Sequence, residues 1–270
     1  MDQQKKNEIF TQAKTWILEA GERIKSKIDS PRSIQTKSNP NDLVTEMDQE
    51  TEQFFANKIK DTYPEHYLLG EEGFGDEIED LGGTVWIIDP IDGTMNFVHQ
   101  KRNFAISIGI YHEGTGEIGL IYNVMEGILY TAKRGEGAYK NDSRLPDLSQ
   151  DRPLKQSILA LNTTWLIPEN PYVDHKGMQE LVKTLRSTRS YGSAALEFAF
   201  LAEGLLDGYL TMTLMPWDYA AGSILVREVG GIVTRADQSE LDLLNKTTVL
   251  AGRSNIHEEI ASEYVQLKQR

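Results

Sequence analysis

The sequence predicts an α/β protein, α+β-like in its layering, in which helices and sheets alternate. Three observations predict it. Residues 3–29 and 45–59 carry apolar side chains at helical spacing, residues 104–140 break into short β-prone runs separated by glycine turns, and beyond residue 156 strand and helix signals alternate. Residues 1–150 therefore read as a helix pair on an antiparallel sheet, and 151–270 as an α/β part closely fused to it in one functional unit. With 270 residues the chain is long enough to bury a substantial core in one large or two fused domains.

In the first helix Ile9, Ala13, Trp16, Ile17, Ala20, Ile24 and Ile28 form one stripe among Lys, Glu and Gln, and Pro31 stops it. Residues 30–41 are polar and turn-prone, with Lys37-Ser38-Asn39-Pro40 at the tip, which suits a mobile hairpin or loop. The second helix turns Met47, Thr51, Phe54, Phe55 and Lys58 to a core. Asp42 and Asp48 lie near its start, where negative charge suits the helix dipole. Tyr67-Leu68-Leu69 is a short strand running into Gly70-Glu71-Glu72-Gly73, and an acidic loop fills 75–83.

The apolar run 85–88 has no alternating polar residue, as in a strand buried on both faces, and Asp89-Pro90 should end it. Thr94-Met95-Asn96-Phe97 opens a helix. Strands follow at 104–111, 117–123, 127–132 and 137–140. Within them Gly114-Thr115-Gly116-Glu117-Ile118-Gly119 matches the dinucleotide-binding pattern, but it runs into the strand-like Leu120-Ile121-Tyr122 instead of a helix, so it is a hairpin turn. After a polar stretch, the second half reads as strand 157–162, helices 178–187 and 194–204, and strand 209–212. Helix 220–229 is closed by Gly230-Gly231, then come strands near 232–234 and 248–251 and a last helix at 254–267.

The 41 acidic and 28 basic residues give a formal charge of −13, which disfavours nucleic acid and anionic membranes as partners. Without cysteine there is no disulfide, thiolate zinc site or cysteine nucleophile, and the five histidines are too scattered to form a ligand set. No apolar run reaches membrane-spanning length, and Met1-Asp2-Gln3-Gln4-Lys5-Lys6 lacks the apolar core of a signal peptide. The expectation is a soluble, cytoplasmic protein.

The chemistry gathers at Trp86-Ile87-Ile88-Asp89-Pro90-Ile91-Asp92-Gly93-Thr94. Two carboxylates suited to cations follow a strand end, next to the free amides of a helix start suited to a phosphate. Pro216-Trp217-Asp218-Tyr219-Ala220-Ala221-Gly222 adds a third Asp at the start of an apolar helix, with small residues for close packing. Taken singly, each string is also ordinary turn or cap chemistry.

Together and in order these strings resemble the inositol monophosphatase family of magnesium-dependent, lithium-sensitive phosphatases. The resemblance covers most of the chain: Lys37-Ser38, Asp42-Leu43-Val44-Thr45, Asp48, Gly70-Glu71-Glu72, the Asp89–Thr94 string, Gly192-Ser193-Ala194-Ala195, the Asp218 string and Gly230-Gly231. It implies an α-β-α-β-α sandwich of the sugar-phosphatase type. It also implies two or three Mg²⁺ ions, with Mn²⁺ a substitute. Glu71, Asp89 and the Ile91 carbonyl would hold the first; Asp89, Asp92 and Asp218 the second, with Asp89 bridging; and Glu71 a weaker third. The physics agrees, because gathered carboxylates repel by ~4 kcal/mol per pair at close range and an all-oxygen set suits Mg²⁺.

The resemblance further implies direct attack on phosphorus by a metal-activated water, oriented by Thr94 with Asp48 and Glu71 and without a phosphoenzyme. The Gly93 and Thr94 amides would hold the phosphate, Ser193, Ala194 and Thr211 would face substrate, and Lys37 would ride a mobile loop closing over the metals. The partner is a small phosphorylated metabolite, inositol 1-phosphate by the family's name, and the assembly a homodimer. One position departs from the pattern. Inositol-specific members carry a glutamate seven residues before the Trp-Asp aspartate, and here that residue is Thr211. A changed alcohol-recognising wall points to a broader enzyme, acting on NADP(H) as a 2′-phosphatase first, then on fructose 1,6-bisphosphate or 3′-phosphoadenosine 5′-phosphate. A regulatory partner of the transcription machinery is the non-enzymatic alternative.

Overall fold

The two faces of the strand predicted at 85–88 decide the architecture. In a computed structural model, which describes residues 1–30, 34–36 and 43–268, this strand is completely buried. Trp86 and Ile88 pack with Ile9, Ile17 and Phe55 of the first two helices, while Val85 and Ile87 pack with Leu196, Phe198 and Ile224 of helices from the second half. Alternate side chains of one strand thus feed two cores, as the two-residue period requires.

The chain begins with α1 (Gln3–Lys27), capped by Asp2, followed by a small antiparallel pair β1 (Ile34–Thr36) and β2 (Leu43–Thr45) and by α2 (Glu46–Thr62). Then come β3 (Tyr67–Gly70), β4 (Thr84–Asp92), α3 (Thr94–Gln100), β5 (Ala105–His112), β6 (Thr115–Asn123), β7 (Ile128–Lys133), β8 (Gly137–Lys140) and β9 (Ser143–Arg144). Strands β3 to β9 form a seven-stranded sheet in sequence order, antiparallel except for the parallel β3–β4 pair. The rejected dinucleotide pattern is indeed the β5–β6 hairpin, with Gly114 at φ +70°.

The second half runs β10 (Ile158–Leu161), α4 (His175–Thr184), β11 (Ser187–Arg189), α5 (Ala194–Ala202), β12 (Gly208–Leu214), α6 (Pro216–Glu228), β13 (Ile232–Thr234), β14 (Thr247–Gly252) and α7 (Ser254–Glu263). Its five strands form a mixed sheet in the order β11-β10-β12-β14-β13. Helices α5 and α6 lie between the two sheets, and α4 and α7 cover the outer face of the second through Met178, Leu181, Ile256 and Ile260. Helix, sheet, helix, sheet, helix is the layering that the sequence predicts.

Four local expectations need correction. Strand β4 does not end at Ile88 but runs through Pro90 to Asp92. Helix α6 begins at Pro216, four residues before the predicted start, because proline is well placed in a helix's first turn. Residues 187–189 form an edge strand, β11, instead of ending a helix. Lys58 lies partly exposed against the Phe54 ring and pairs with Glu19, so its charged end stays out of the core.

Candidate active site

Asp89 and Asp92 are three residues apart, and in a regular strand they would point to opposite faces. The pairing of β4 with β5 shows why they do not. Asp89 stands opposite Ser107 and Asp92 opposite Ala105, so three steps on β4 match two on β5. The extra residue is a β-bulge at Pro90-Ile91, where proline's missing N–H costs no ladder bond. It brings both carboxylates to one side.

Each carboxylate is then fixed by backbone. An oxygen of Asp89 accepts the Ile91 N–H at 2.9 Å. Asp92 lies at the N-terminus of α5, accepting the Ala194 and Ala195 N–H groups at 3.2 and 2.7 Å and the Ser193 hydroxyl. Asp218, the third residue of α6, accepts the Met215 N–H at 2.7 Å. The small residues beside it let the helix reach the sheet. A Cβ on Gly109 would come within 2.8 Å of Ala220, one on Gly119 within 2.7 Å of the Ala221 carbonyl, and one on Gly222 within 2.3 Å of Phe198.

The result is a cluster in which oxygens of Asp89, Asp92 and Asp218 all lie within 4.8 Å of one another. Among the described residues no Lys or Arg forms an ion pair with any of the three. Burial first, and then the neighbouring acids, push Asp89 and Asp218 far above the ordinary carboxylate range. Burial likewise raises Asp92 to about 6, against the opposing pull of its Ser193, Ala195 and Ala194 hydrogen bonds. Such a cluster is unfavourable as bare charge, and its all-oxygen composition suits a hard divalent cation.

Glu71 follows Gly70, which is in register with Ile88 on the adjacent parallel strand, so it emerges beside Asp89. It stands just outside the triple cluster, yet close enough for its charge to raise Asp48, Asp89, Asp92 and Asp218. Asp48 is the third residue of α2 and closes a capping box with Thr45, whose N–H and hydroxyl donate to it at 2.9 and 2.5 Å. Its other oxygen lies 3.1 Å from the Thr94 hydroxyl, which is equally 3.1 Å from the Ile91 carbonyl oxygen. Burial lifts Asp48 to about 6, with Glu71 adding to the rise. Gly93 caps α3 at φ +94°, a conformation that favours glycine, and a Cβ there would meet the Gly192 carbonyl at 3.1 Å.

A cavity of about 330 Å³ opens beside Asp92 and Asp218. Thr211, Thr213, Leu214, Trp165 and Asn162 form its far wall. β12 carries its own bulge between Thr211 and Leu214, so both strands that lead to the site are irregular where they reach it. Ser193 and Ala194, expected to face substrate, line this cavity but direct the Ser193 hydroxyl and the Ala194 N–H to Asp92. A larger groove, about 830 Å³, lies at the opposite end of α6 beside Ile224 and Arg227, away from the aspartates. Lys37 and Asp42 lie outside the described residues.

Three residues of the site escape the sequence reading. Asn96 donates to the carbonyls of Asn103 and Tyr191 at 2.8 and 2.7 Å, tying α3 to the turn before α5. Its signal is a poor helix former inside a short helix. Glu197, the single charge in the apolar Ala194–Ala202 helix, is buried and accepts the Tyr191 N–H at 2.7 Å. Burial first, with Asp92 adding, raises it to about 7. Glu52 is fully buried one helical turn after Asp48, and that spacing is its signal.

A model of the inositol monophosphatase family matches residues 5–269. The inositol-1-monophosphatase of Bacillus subtilis (strain 168) is 53% identical over 261 residues, 97% of this chain and 98% of its own. Two crystal structures of SaIMPase-II, one bound to inositol monophosphate and one to 2′-AMP, are each 42% identical over 95% of this chain and 93% of theirs, with TM-scores of 0.85 and 0.86. A structure of an IMPase/NADP phosphatase complexed with Mg²⁺ and phosphate is 26% identical, covers 98% of this chain and 100% of its own, and has a TM-score of 0.88.

Proposed function

The chain belongs to the inositol monophosphatase family and is a phosphomonoester hydrolase, and on that premise we propose a magnesium-dependent phosphatase that takes inositol 1-phosphate and also bulkier esters, the 2′-phosphate of NADP⁺ first among them. The observation that carries the substrate reading is the cavity wall. Position 211 presents a single hydroxyl among Thr213, Leu214 and Trp165, where a polyol-specific wall would place an acid. Tying down several ring hydroxyls calls for charged acceptors, whereas the neutral Asn162, Trp165, Thr213 and Leu214 side chains around position 211 leave room for a flat or larger alcohol. The 2′-AMP and NADP ligands of related proteins fit the same reading.

The donor set fits magnesium, with manganese a substitute. Asp89, Asp92, Asp218, Glu71 and the Ile91 carbonyl would hold two ions, and Glu71 a weaker third. Bound there, the cations supply Lewis-acid activation of a water and neutralise charge on the phosphate and the departing alkoxide. The protein's own groups do the rest. The Thr94 hydroxyl, between Asp48 and the Ile91 carbonyl, orients the attacking water, and Asp48 with Glu71 stands ready for its proton. The Gly93 and Thr94 amides face the phosphate. The catalytic unit is a homodimer, and no helix among the described residues is long and apolar enough to cross a membrane.

The test is phosphate release with Mg²⁺, with and without Li⁺, from inositol 1-phosphate, NADP⁺, fructose 1,6-bisphosphate and 3′-phosphoadenosine 5′-phosphate. The expected result is lithium-inhibited turnover of inositol 1-phosphate and NADP⁺ with kcat/KM values within about tenfold of each other, the modest discrimination of a wall with no charge at position 211. Turnover of inositol 1-phosphate alone would contradict the broad-wall reading.

A further inference from the structure

Two buried carboxylates, Glu52 and Glu197, form no ion pair among the described residues, and Glu197 also lines the cavity beside Asp92 and Asp218. Each instead gathers the backbone N–H groups of a turn that delivers a ligand. Glu52, wholly buried on α2, accepts the Glu72 N–H at 2.7 Å on one oxygen and the Phe74 N–H at 2.8 Å on the other, with the Glu71 N–H close by. This is the turn that carries Glu71. It has no spare room, because a Cβ on Gly70 would lie 2.5–2.6 Å from the Glu52 carboxylate. Glu197, on α5, accepts the Tyr191 N–H at 2.7 Å, with Gly192 and the Tyr209 hydroxyl close by. The next three residues, Ser193, Ala194 and Ala195, are those that grip Asp92.

We propose that Glu52 and Glu197 are positioning residues for the cation site, each acting through a clamped turn: Glu52 on Glu71, Glu197 on Asp92. Every partner each meets is a donor, so the acceptor-only carboxylate fits where an amide, which must turn its NH₂ towards at least one N–H, does not. Groups that orient ligands from behind in this way change metal affinity by roughly 10–100-fold when replaced. The inference rests on the magnesium reading above and extends it to residues outside the ligand set.

Glu52→Gln and Glu197→Gln separate positioning from mere stability. Calorimetric titration of Mg²⁺ into each purified variant should show a dissociation constant raised about tenfold or more. At saturating Mg²⁺ the KM of Glu52→Gln for inositol 1-phosphate should stay near that of the wild type, with kcat largely recovered. Lower melting temperatures with Mg²⁺ affinity within about twofold of wild type would overturn the proposal and leave both residues structural. Should a Gln variant fail to fold, Tyr209→Phe removes the hydroxyl beside Glu197 and should still weaken Mg²⁺ binding roughly threefold. An unchanged affinity there would count against the clamp equally. Wild-type protein that takes up no Mg²⁺ would overturn the magnesium reading itself, a result distinguishable from wild-type binding that the variants leave unaltered.

Discussion

Asp92 and Thr211 line one cavity, but they are placed by different means. The Asp92 carboxylate is held by three donors from the first residues of α5, and Asp89 and Asp218 are each held by a backbone N–H. Thr211 owes its place to the register of β12 against β14 beside a bulge, and its neighbours in the wall come from residues 162–165 and the end of β12. The carboxylate end is fixed by main chain that few substitutions can shift, whereas the wall is a set of exchangeable side chains. Catalysis at one end and substrate choice at the other can therefore be altered separately.

The contrast can be broken most severely at the carboxylate end. Asp92→Asn removes a cation ligand and turns an amide NH₂ towards the donors of α5. The expected loss in kcat/KM is about a thousandfold or more, the several kcal/mol a catalytic cation supplies. Steady-state phosphate release at saturating Mg²⁺ measures it, and a loss below about tenfold would place the cation elsewhere. Thr94→Val deletes the hydroxyl between Asp48 and the Ile91 carbonyl while keeping the volume. A drop in kcat of about a hundredfold with little change in Mg²⁺ affinity is expected, and the reverse pattern would make Thr94 part of the cation site.

How much of this was legible in the sequence follows the same division. The carboxylate end is written in two short strings, because bulge, cap and ligand lie within a few residues of each other, and 89, 92 and 218 could be read directly. The bulge itself was missed: Pro90 signals a strand's end and a strand's irregularity equally well, and only the pairing with Ser107 and Ala105 separates them. The start of α6 was set four residues late because apolar periodicity begins at Ala220, after the proline that opens the helix. Glu52 and Asn96 hold turns distant in sequence, and Glu197 reaches back to the turn before its own helix, a contact that no helical period announces. The wall draws on residues 162, 165, 211, 213 and 214, and no periodicity gathers them; Thr211 stands out only as a departure from the family pattern.

pH offers a gentler probe of the carboxylate end. Burial raises Asp48 and Asp92 to about 6 in the cation-free fold, against 3.8 for an unperturbed aspartate. Between those values the folded protein holds protons that the unfolded chain has released, so cation-free stability falls as pH rises through the window. Cation binding needs the ligands ionised and has the opposite dependence. The rise in melting temperature caused by Mg²⁺ should therefore be greatest above pH ~7 and shrink towards pH ~5, as a scanning fluorimetry series would show. A Mg²⁺ effect that does not vary with pH would mean that Asp92 does not bind the ion.

The smallest expected effect lies at the wall. Thr211→Glu should raise the preference for inositol 1-phosphate over NADP⁺ about tenfold, as competing kcat/KM values, while leaving Mg²⁺ affinity near that of the wild type. Equal losses on both substrates would show that position 211 shapes the cavity without selecting the alcohol.

The central claim is that one cation site is assembled from both halves of the chain, Asp89 and Asp92 from the bulged strand and Asp218 from the helix that crosses to meet it. Calorimetric titration of Mg²⁺ into wild-type protein and Asp218→Asn tests it most directly, because Asn can still accept the Met215 N–H and preserve the helix start. The account predicts binding by the wild type that is at least about tenfold weaker in the variant. The same affinity in both proteins would mean that the first half holds the ion alone.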